Sequence, residues 1–251
     1  MKKNKVLILI TSIILVLLIF VLLFLYLLNN KKNNKYDFIN DNMNYIENVL
    51  NKNENNNEII TTSNEIKYNK LMVVAHPDDD TIFGGAHLIN DDYLVVCVTC
   101  GSNKTRVKEF EKVMSETNDK YIMLNHSDVV NGYISKWENE YDLIEKELKE
   151  IIQSNDWKMI VTHNPEGEYG HSHHKKINTI VTKNVEDKEK LYYFGKYYKK
   201  DDITNDETLS DELYNEKLKI LSLYKTQKLK KDSKHSYMFK HENWISYSDW
   251  S

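Results

Sequence analysis

The chain has 251 residues and a formal net charge of −4, from 34 basic and 38 acidic side chains intermixed along it. That balance leaves no basic stripe, which excludes nucleic acid as a partner. Two cysteines are too few for a disulfide-stapled scaffold, and the length suits one large domain or two small ones.

Residues 6–28 form a run of 23 residues without a charge. As a helix this run would span about 34 Å, against roughly 30 Å of bilayer hydrocarbon. It is too long for a signal peptide and ends in Asn29-Asn30-Lys31-Lys32 rather than in small residues. The expectation is one uncleaved transmembrane helix, with residues 1–28 as the anchor. Lysines flank the run on both sides, so the charges leave its orientation open. Between residues 29 and 64, fourteen positions are asparagine, so 29–66 reads as a linker that cannot bury enough surface to fold alone. Within it Ile39, Met43, Ile46 and Leu50 recur at helical spacing. That fits a short amphipathic segment on the membrane or the domain as well as a nascent helix without a partner.

From residue 67 to 251 the pattern alternates. Strands are expected at 70–75, 93–100, 121–125, 159–163 and 191–197. Helices are expected at 79–89, at 105–116 with Val107, Phe110, Val113 and Met114 on one face, and over a segment carrying Trp137, Tyr141, Ile144, Leu148 and Ile151. Two more open at about 171 and 213. Alternation of this kind predicts an α/β three-layer sandwich around a mostly parallel, Rossmann-like sheet. Cys97 and Cys100 sit on one strand, where positions three apart face opposite ways, so they read as buried strand residues rather than a redox pair. The tail beyond 228 is polar and irregular, with residues 241–244 able to fold back on the domain.

Two stretches carry chemistry. The first strand ends in His76-Pro77-Asp78-Asp79-Asp80. These acids would serve equally well as helix caps if they stood alone. The fourth strand, however, runs into a loop with His163, His171, His173 and His174 within twelve residues, punctuated by Pro165, Gly167 and Gly170. A His/Asp pair at one strand end and a His pair three apart at another form an inventory of metal ligands. Two imidazoles and a carboxylate suit a catalytic zinc with an open position, and suit Fe2+ as well. A spare carboxylate would be the general base, and Arg106 or a second histidine would steady an oxyanion.

His76-Pro77-Asp78-Asp79 with Gly84-Gly85, Thr99-Cys100-Gly101, Arg106 and Glu109, and Gly170-His171-Ser172-His173-His174 together resemble the LmbE/PIG-L family of zinc-dependent de-N-acetylases, over about residues 67–227. Lys225-Thr226-Gln227 after a tyrosine resembles the family's late helix. The resemblance implies His76, Asp79 and His174 as Zn2+ ligands, Asp78 as base, and His171 assisting the oxyanion or leaving group. Arg106 and Asp128 match substrate-holding positions, and Arg106 and Tyr169 match positions that assist catalysis. Asp80 stands where relatives commonly have Glu, and His173 supplies an imidazole that competes with His174 for the ligand role. The implied activity is hydrolysis of the N-acetyl group of an N-acetylglucosamine-bearing substrate, the anchor favouring N-acetylglucosaminylphosphatidylinositol and hence a role in GPI anchor biosynthesis. Two alternatives are a deacetylase of a soluble conjugate and a membrane-tethered sugar-binding protein without turnover. The expected partners are such a glycolipid or sugar conjugate and a lipid bilayer. The expected location is the endoplasmic reticulum membrane with the domain facing the cytosol.

Overall fold

The computed structural model describes residues 68–203, 208–229 and 235–250. The expected anchor at 6–28 and the linker lie outside the described residues. Among the described residues no helix is long and apolar enough to cross a membrane.

The elements are β1 (Lys70–Val74), α1 (Asp79–Asn90), β2 (Leu94–Thr99), α2 (Lys104–Thr117) and β3 (Lys120–His126). A small hairpin follows, β4 (Val129–Val130) and β5 (Tyr133–Ile134), then α3 (Tyr141–Gln153), β6 (Met159–Thr162) and α4 (Ser172–Asn184). The chain closes with β7 (Leu191–Tyr193), α5 (Asp211–Leu221) and β8 (Ile245–Ser246). The main sheet has the order β3-β2-β1-β6-β7-β8. Every pairing in it is parallel except β7 with β8. On one side of the sheet α1 and α2 pack with α5; α3 packs with α4 in the other layer. The three-layer, mostly parallel expectation therefore holds.

The strands read as continuous apolar runs because helices cover both faces. All six residues of β2 are buried, Cys97 among them, and both cysteines are free thiols. Met72, Val74, Val95, Phe110, Val113 and Phe194 belong to one buried cluster. Burying each such side chain contributes roughly 1.5–3 kcal/mol. Strand order reverses between β1 and β6, and ligands in open α/β sheets lie outside the carboxyl ends of strands at such a point. His76 follows β1 and His163 follows β6, so the topology brings the two motifs together.

Trp137 is a correction. It precedes α3 in a left-handed backbone conformation, φ 51°, instead of lying on that helix. Its indole Nε1 donates to the Ser127 carbonyl (2.6 Å), a bond that holds it in the loop. Gly84 and Gly85 permit close approach within α1. A Cβ at Gly84 would meet Met72 Cε at 2.6 Å, and one at Gly85 would meet Lys217 Cγ at 3.0 Å.

Candidate metal centre and active site

The three acids of the first motif separate by role. Asp78 precedes α1 with φ 147°, and its side chain caps nothing, so helix capping does not explain it. A non-glycine residue held there is strained, and strain of this kind concentrates at functional sites. Asp79 turns to the histidines. Asp80 is buried and accepts hydrogen bonds from Thr81 Oγ1 (2.7 Å) and, at both its oxygens, from Tyr224 Oη (2.8 and 2.9 Å). Burial raises its carboxyl to about 6.

His76 Nδ1 lies 3.1 Å from Asp79 Oδ2, His174 Nε2 lies 3.3 Å from the same oxygen, and the two nitrogens are 3.3 Å apart. Bonds of about 2.0–2.1 Å to a tetrahedral zinc would space ligand atoms about 3.3–3.4 Å apart. The donor set therefore fits a divalent ion above this triangle, with a fourth position open. The rest of each ligand is held, as metal-binding histidines usually are. The His76 N–H donates to Asp79 Oδ2 (2.8 Å). His174 Nδ1 bonds Glu168 Oε2 (2.5 Å). His76 Nε2 faces His173 Nδ1 at 3.0 Å, and His173 Nε2 donates to the Ser135 carbonyl (2.6 Å). With that donation fixed, His173 Nδ1 accepts from His76 and leaves His76 Nδ1 free to ligate.

This separates the two competing histidines. His173 has both ring nitrogens engaged and its ring stacked on Trp137, centroids 3.9 Å apart and 2° from parallel. It orients His76, while His174 supplies the nitrogen facing Asp79. His174→Ala is accordingly expected to abolish stoichiometric metal. His173→Ala should weaken metal affinity by roughly 10- to 100-fold, the usual worth of such an orienting contact. Chelator competition on the purified chain measures both, and loss of metal in the His173 variant alone would reverse the assignment.

The electrostatics agree with a cation site. Burial opposes charge on His174, yet Asp79 and Glu168 hold its imidazole at about 10. Burial would raise Asp79, but His174 and His76 keep it well below the usual carboxylate range. Asp78 goes the other way, pushed up by burial and by Asp79 against the opposing charge of Arg106. His171 closes α4's N-terminus, its Nδ1 accepting from the His173 N–H (3.2 Å), and its ring lies 4.7 Å from that of His76. Burial and its neighbours His174 and His76 lower it to about 3.

The remaining expected residues sit around this centre. Asp128 Oδ1 is 3.5 Å from His76 Nε2. Tyr169 is half exposed at the rim, its ring 5.6 Å from that of His174 and 6.0 Å from that of His171. Arg106 is buried, donates from Nη2 to the Pro77 carbonyl and from Nη1 to Thr226 Oγ1 (3.4 Å), and approaches Asp78 Oδ1 at 3.6 Å. It braces the turn that aims Asp78.

Several residues bear on the site in roles the sequence did not specify: it offered Glu168 only as the base should Asp78 not serve, His163 as one of four loop histidines and Glu109 as part of the family pattern. Glu168 accepts from His163 Nδ1 (3.1 Å), from His174 Nδ1 and from the Asn164 N–H (2.9 Å), so its oxygens are committed to orienting ligands. His163 Nε2 accepts from the Ala75 N–H (2.9 Å). Glu109 accepts from the Thr226 N–H and Oγ1 (2.8 and 2.7 Å), fixing the late turn beside Arg106. The position of His163 at a strand end, level with His76, was the available signal.

Residues 71–185 match the family described as PIG-L: GlcNAc-PI de-N-acetylase. Uncharacterized protein L374 of Acanthamoeba polyphaga mimivirus is 32% identical over 140 residues, which cover 49% of this chain and 60% of that protein. The chain thus matches less than two thirds of the length of this curated relative. Among solved structures, GalB, the 4-carboxy-2-hydroxymuconate hydratase from Pseudomonas putida KT2440, matches at 12% identity with a TM-score of 0.45, covering 69% of this chain and 82% of that one.

Proposed function

We propose, from the PIG-L family domain that this chain carries at residues 71–185, that it is a zinc-dependent hydrolase of the N-acetyl group of an N-acetylglucosamine-bearing substrate. The observation that carries the reading is the His76–Asp79–His174 triangle with a second carboxylate, Asp78, beside it on the same turn. When bound, the metal supplies a Lewis acid and lowers the pKa of water towards about 7.

The residues then divide the work. Asp78 takes the proton of the attacking water, and burial and the neighbouring Asp79 raise its proton affinity above that of an ordinary carboxylate, which favours that role. His171 faces the acyl oxygen or the leaving nitrogen. As the C–N bond of the acetamide breaks, Asp78 passes the proton it took from water to the leaving nitrogen, so acetate leaves and the sugar keeps a free amine. Tyr169 and Asp128 hold the sugar at the rim. A sugar-binding protein without turnover would need the pocket but not the base, and the intact Asp78 favours the enzyme.

The finer reading is N-acetylglucosaminylphosphatidylinositol as substrate, with residues 6–28 as the anchor, 29–66 as a tether and the domain facing the cytosol. The anchor supports it, because it would confine the site to a surface where lipid head groups concentrate. Asn103-Lys104-Thr105 is a glycosylation sequon. Asn103 is exposed and caps α2 through its Oδ1, three residues from Arg106. A glycan there would crowd the mouth, so the active domain is expected on a side where N-glycosylation does not occur. An endoglycosidase-sensitive mobility shift, abolished by Asn103→Gln in active protein, would overturn that orientation.

The test of function is acetate release by the purified full chain from N-acetylglucosaminylphosphatidylinositol and from a water-soluble N-acetylglucosaminide. Activity should vanish with chelator and return with Zn2+, with Fe2+ as the comparison. Tight sugar binding without acetate would establish the binding protein instead.

A further inference from the structure

We propose that the β4–β5 hairpin docks on a lipid bilayer and holds the mouth of the metal centre against it. The inference rests on the reading of the substrate as lipid-borne, and deepens it by naming the surface that meets the lipid.

The hairpin turns through Asn131 and Gly132, at φ 54° and 82°. Val129 pairs with Ile134 and Val130 with Tyr133. Opposed residues of an antiparallel pair share a face and successive residues alternate, so one pair lies on each face. All four side chains are exposed: Val129 56%, Val130 48%, Tyr133 79% and Ile134 48%. A sheet packed on a protein normally keeps one face polar for water, and this one has none. An isolated two-stranded hairpin is also marginal by itself, so an apolar medium that surrounds both faces is the setting that suits it.

Three observations commit the occupant to a bilayer. The first is the double-sided exposure, which a groove on a partner would satisfy only by enclosing the hairpin. The second is the collar at the hairpin's base, where Asp128 precedes β4 and Lys136, its side chain 82% exposed, stands two residues past β5 with Glu138 at 4.0 Å. An apolar tip above a ring of charged side chains of both signs matches an acyl boundary below zwitterionic and anionic head groups. The third is the 23-residue uncharged run at 6–28 of the same chain.

The reach also fits. Two residues and a turn at about 3.4 Å per residue extend about 7–10 Å, comparable with the 5–10 Å depth of interfacial segments. Both hairpin stems touch the metal centre. Asp128, just before β4, lies 3.5 Å from His76 Nε2, and Ser135, just after β5, holds His173. Insertion of the tip therefore sets the histidines at head-group level.

The test uses the full chain reconstituted in vesicles of phosphatidylcholine and phosphatidylserine, with Tyr133→Trp read as the difference from wild type. The added indole should shift to the blue, be quenched by acyl-chain-brominated lipid and be shielded from aqueous iodide. Iodide quenching unchanged by vesicles would place the hairpin in water and overturn the proposal. Shielding from iodide without quenching by brominated lipid would show a second copy or another protein covering it, and would overturn it equally. In a second arm, Val130→Asp with Tyr133→Asp should raise KM for a vesicle-borne substrate roughly tenfold, the residual anchor limiting the loss. Turnover of a water-soluble N-acetylglucosaminide should not change. The fluorescence arm needs no activity, so failure of the deacetylase reading would leave it decisive.

Discussion

Asp78→Asn is expected to retain the metal and to lose turnover by roughly 10²- to 10⁴-fold, the usual worth of a positioned base. The substitution keeps size and polarity but removes proton acceptance. It also leaves the backbone as it is, since Asn and Asp differ only in the side-chain terminus and meet the same strain at φ 147°. The three atoms that face one another across the site belong to His76, Asp79 and His174, so metal content read by atomic absorption should match wild type. Acetate release should fall in kcat more than it changes KM. Turnover near wild type would move the base elsewhere. Glu168 is the nearest remaining carboxylate of the loop, but its oxygens already accept from His163, His174 and the Asn164 N–H.

The candidate site was legible because it sits at strand ends, where short sequence signals carry structural meaning. Residues 71–75 read as an apolar run stopped by His76-Pro77, and the sheet places that stop at its topological switch point. Apart from α3, helix starts were legible to within a residue or two: α4 opens with His171 as its cap, so His171 and His174 fall on one face. The misses share a cause. Tyr224 bonds Asp80 across 144 positions and Glu242 bonds the Ala86 N–H across 156, and no local period reports such pairs. Trp137 matched a helical spacing, but the Ser127 carbonyl and the stacked His173 ring outweighed that propensity. The β4–β5 hairpin had a local signal, Asn131-Gly132 between apolar residues, which favours a tight turn. The two-residue strands were too short to register as a period.

Lys217→Met is expected to destabilise the domain by about 3–5 kcal/mol, because it leaves a carboxylate buried without its cation. Lys217 and Glu242 are both fully buried at the side chain, with Nζ 2.6 Å from Oε2. The pair is spliced into α1. Lys217 Nζ donates to the Ile82 carbonyl (2.8 Å) and Trp244 Nε1 to the Phe83 carbonyl (2.8 Å), while Glu242 accepts from the Ala86 and His87 N–H groups (3.0 and 2.9 Å). Phe83 in turn lies edge-on to His163 and His174, its ring centroid 6.1 Å from each. The loss is a large share of the 5–15 kcal/mol typical of a folded domain, and should lower Tm by on the order of 10 °C. Burial would raise the Glu242 carboxyl, but Lys217 and His87 hold it at about 2, below its ordinary 4.5. A carboxyl depressed on folding contributes stability that is present above 4.5 and is lost as pH falls towards 2. Thermal melts of wild type and Glu242→Gln should therefore differ most near neutral pH and converge towards pH 2. A gap that stays constant across that range would show that Glu242 acts through packing alone, and a Lys217→Met variant as stable as wild type would show that the pair contributes nothing to holding α1 in place.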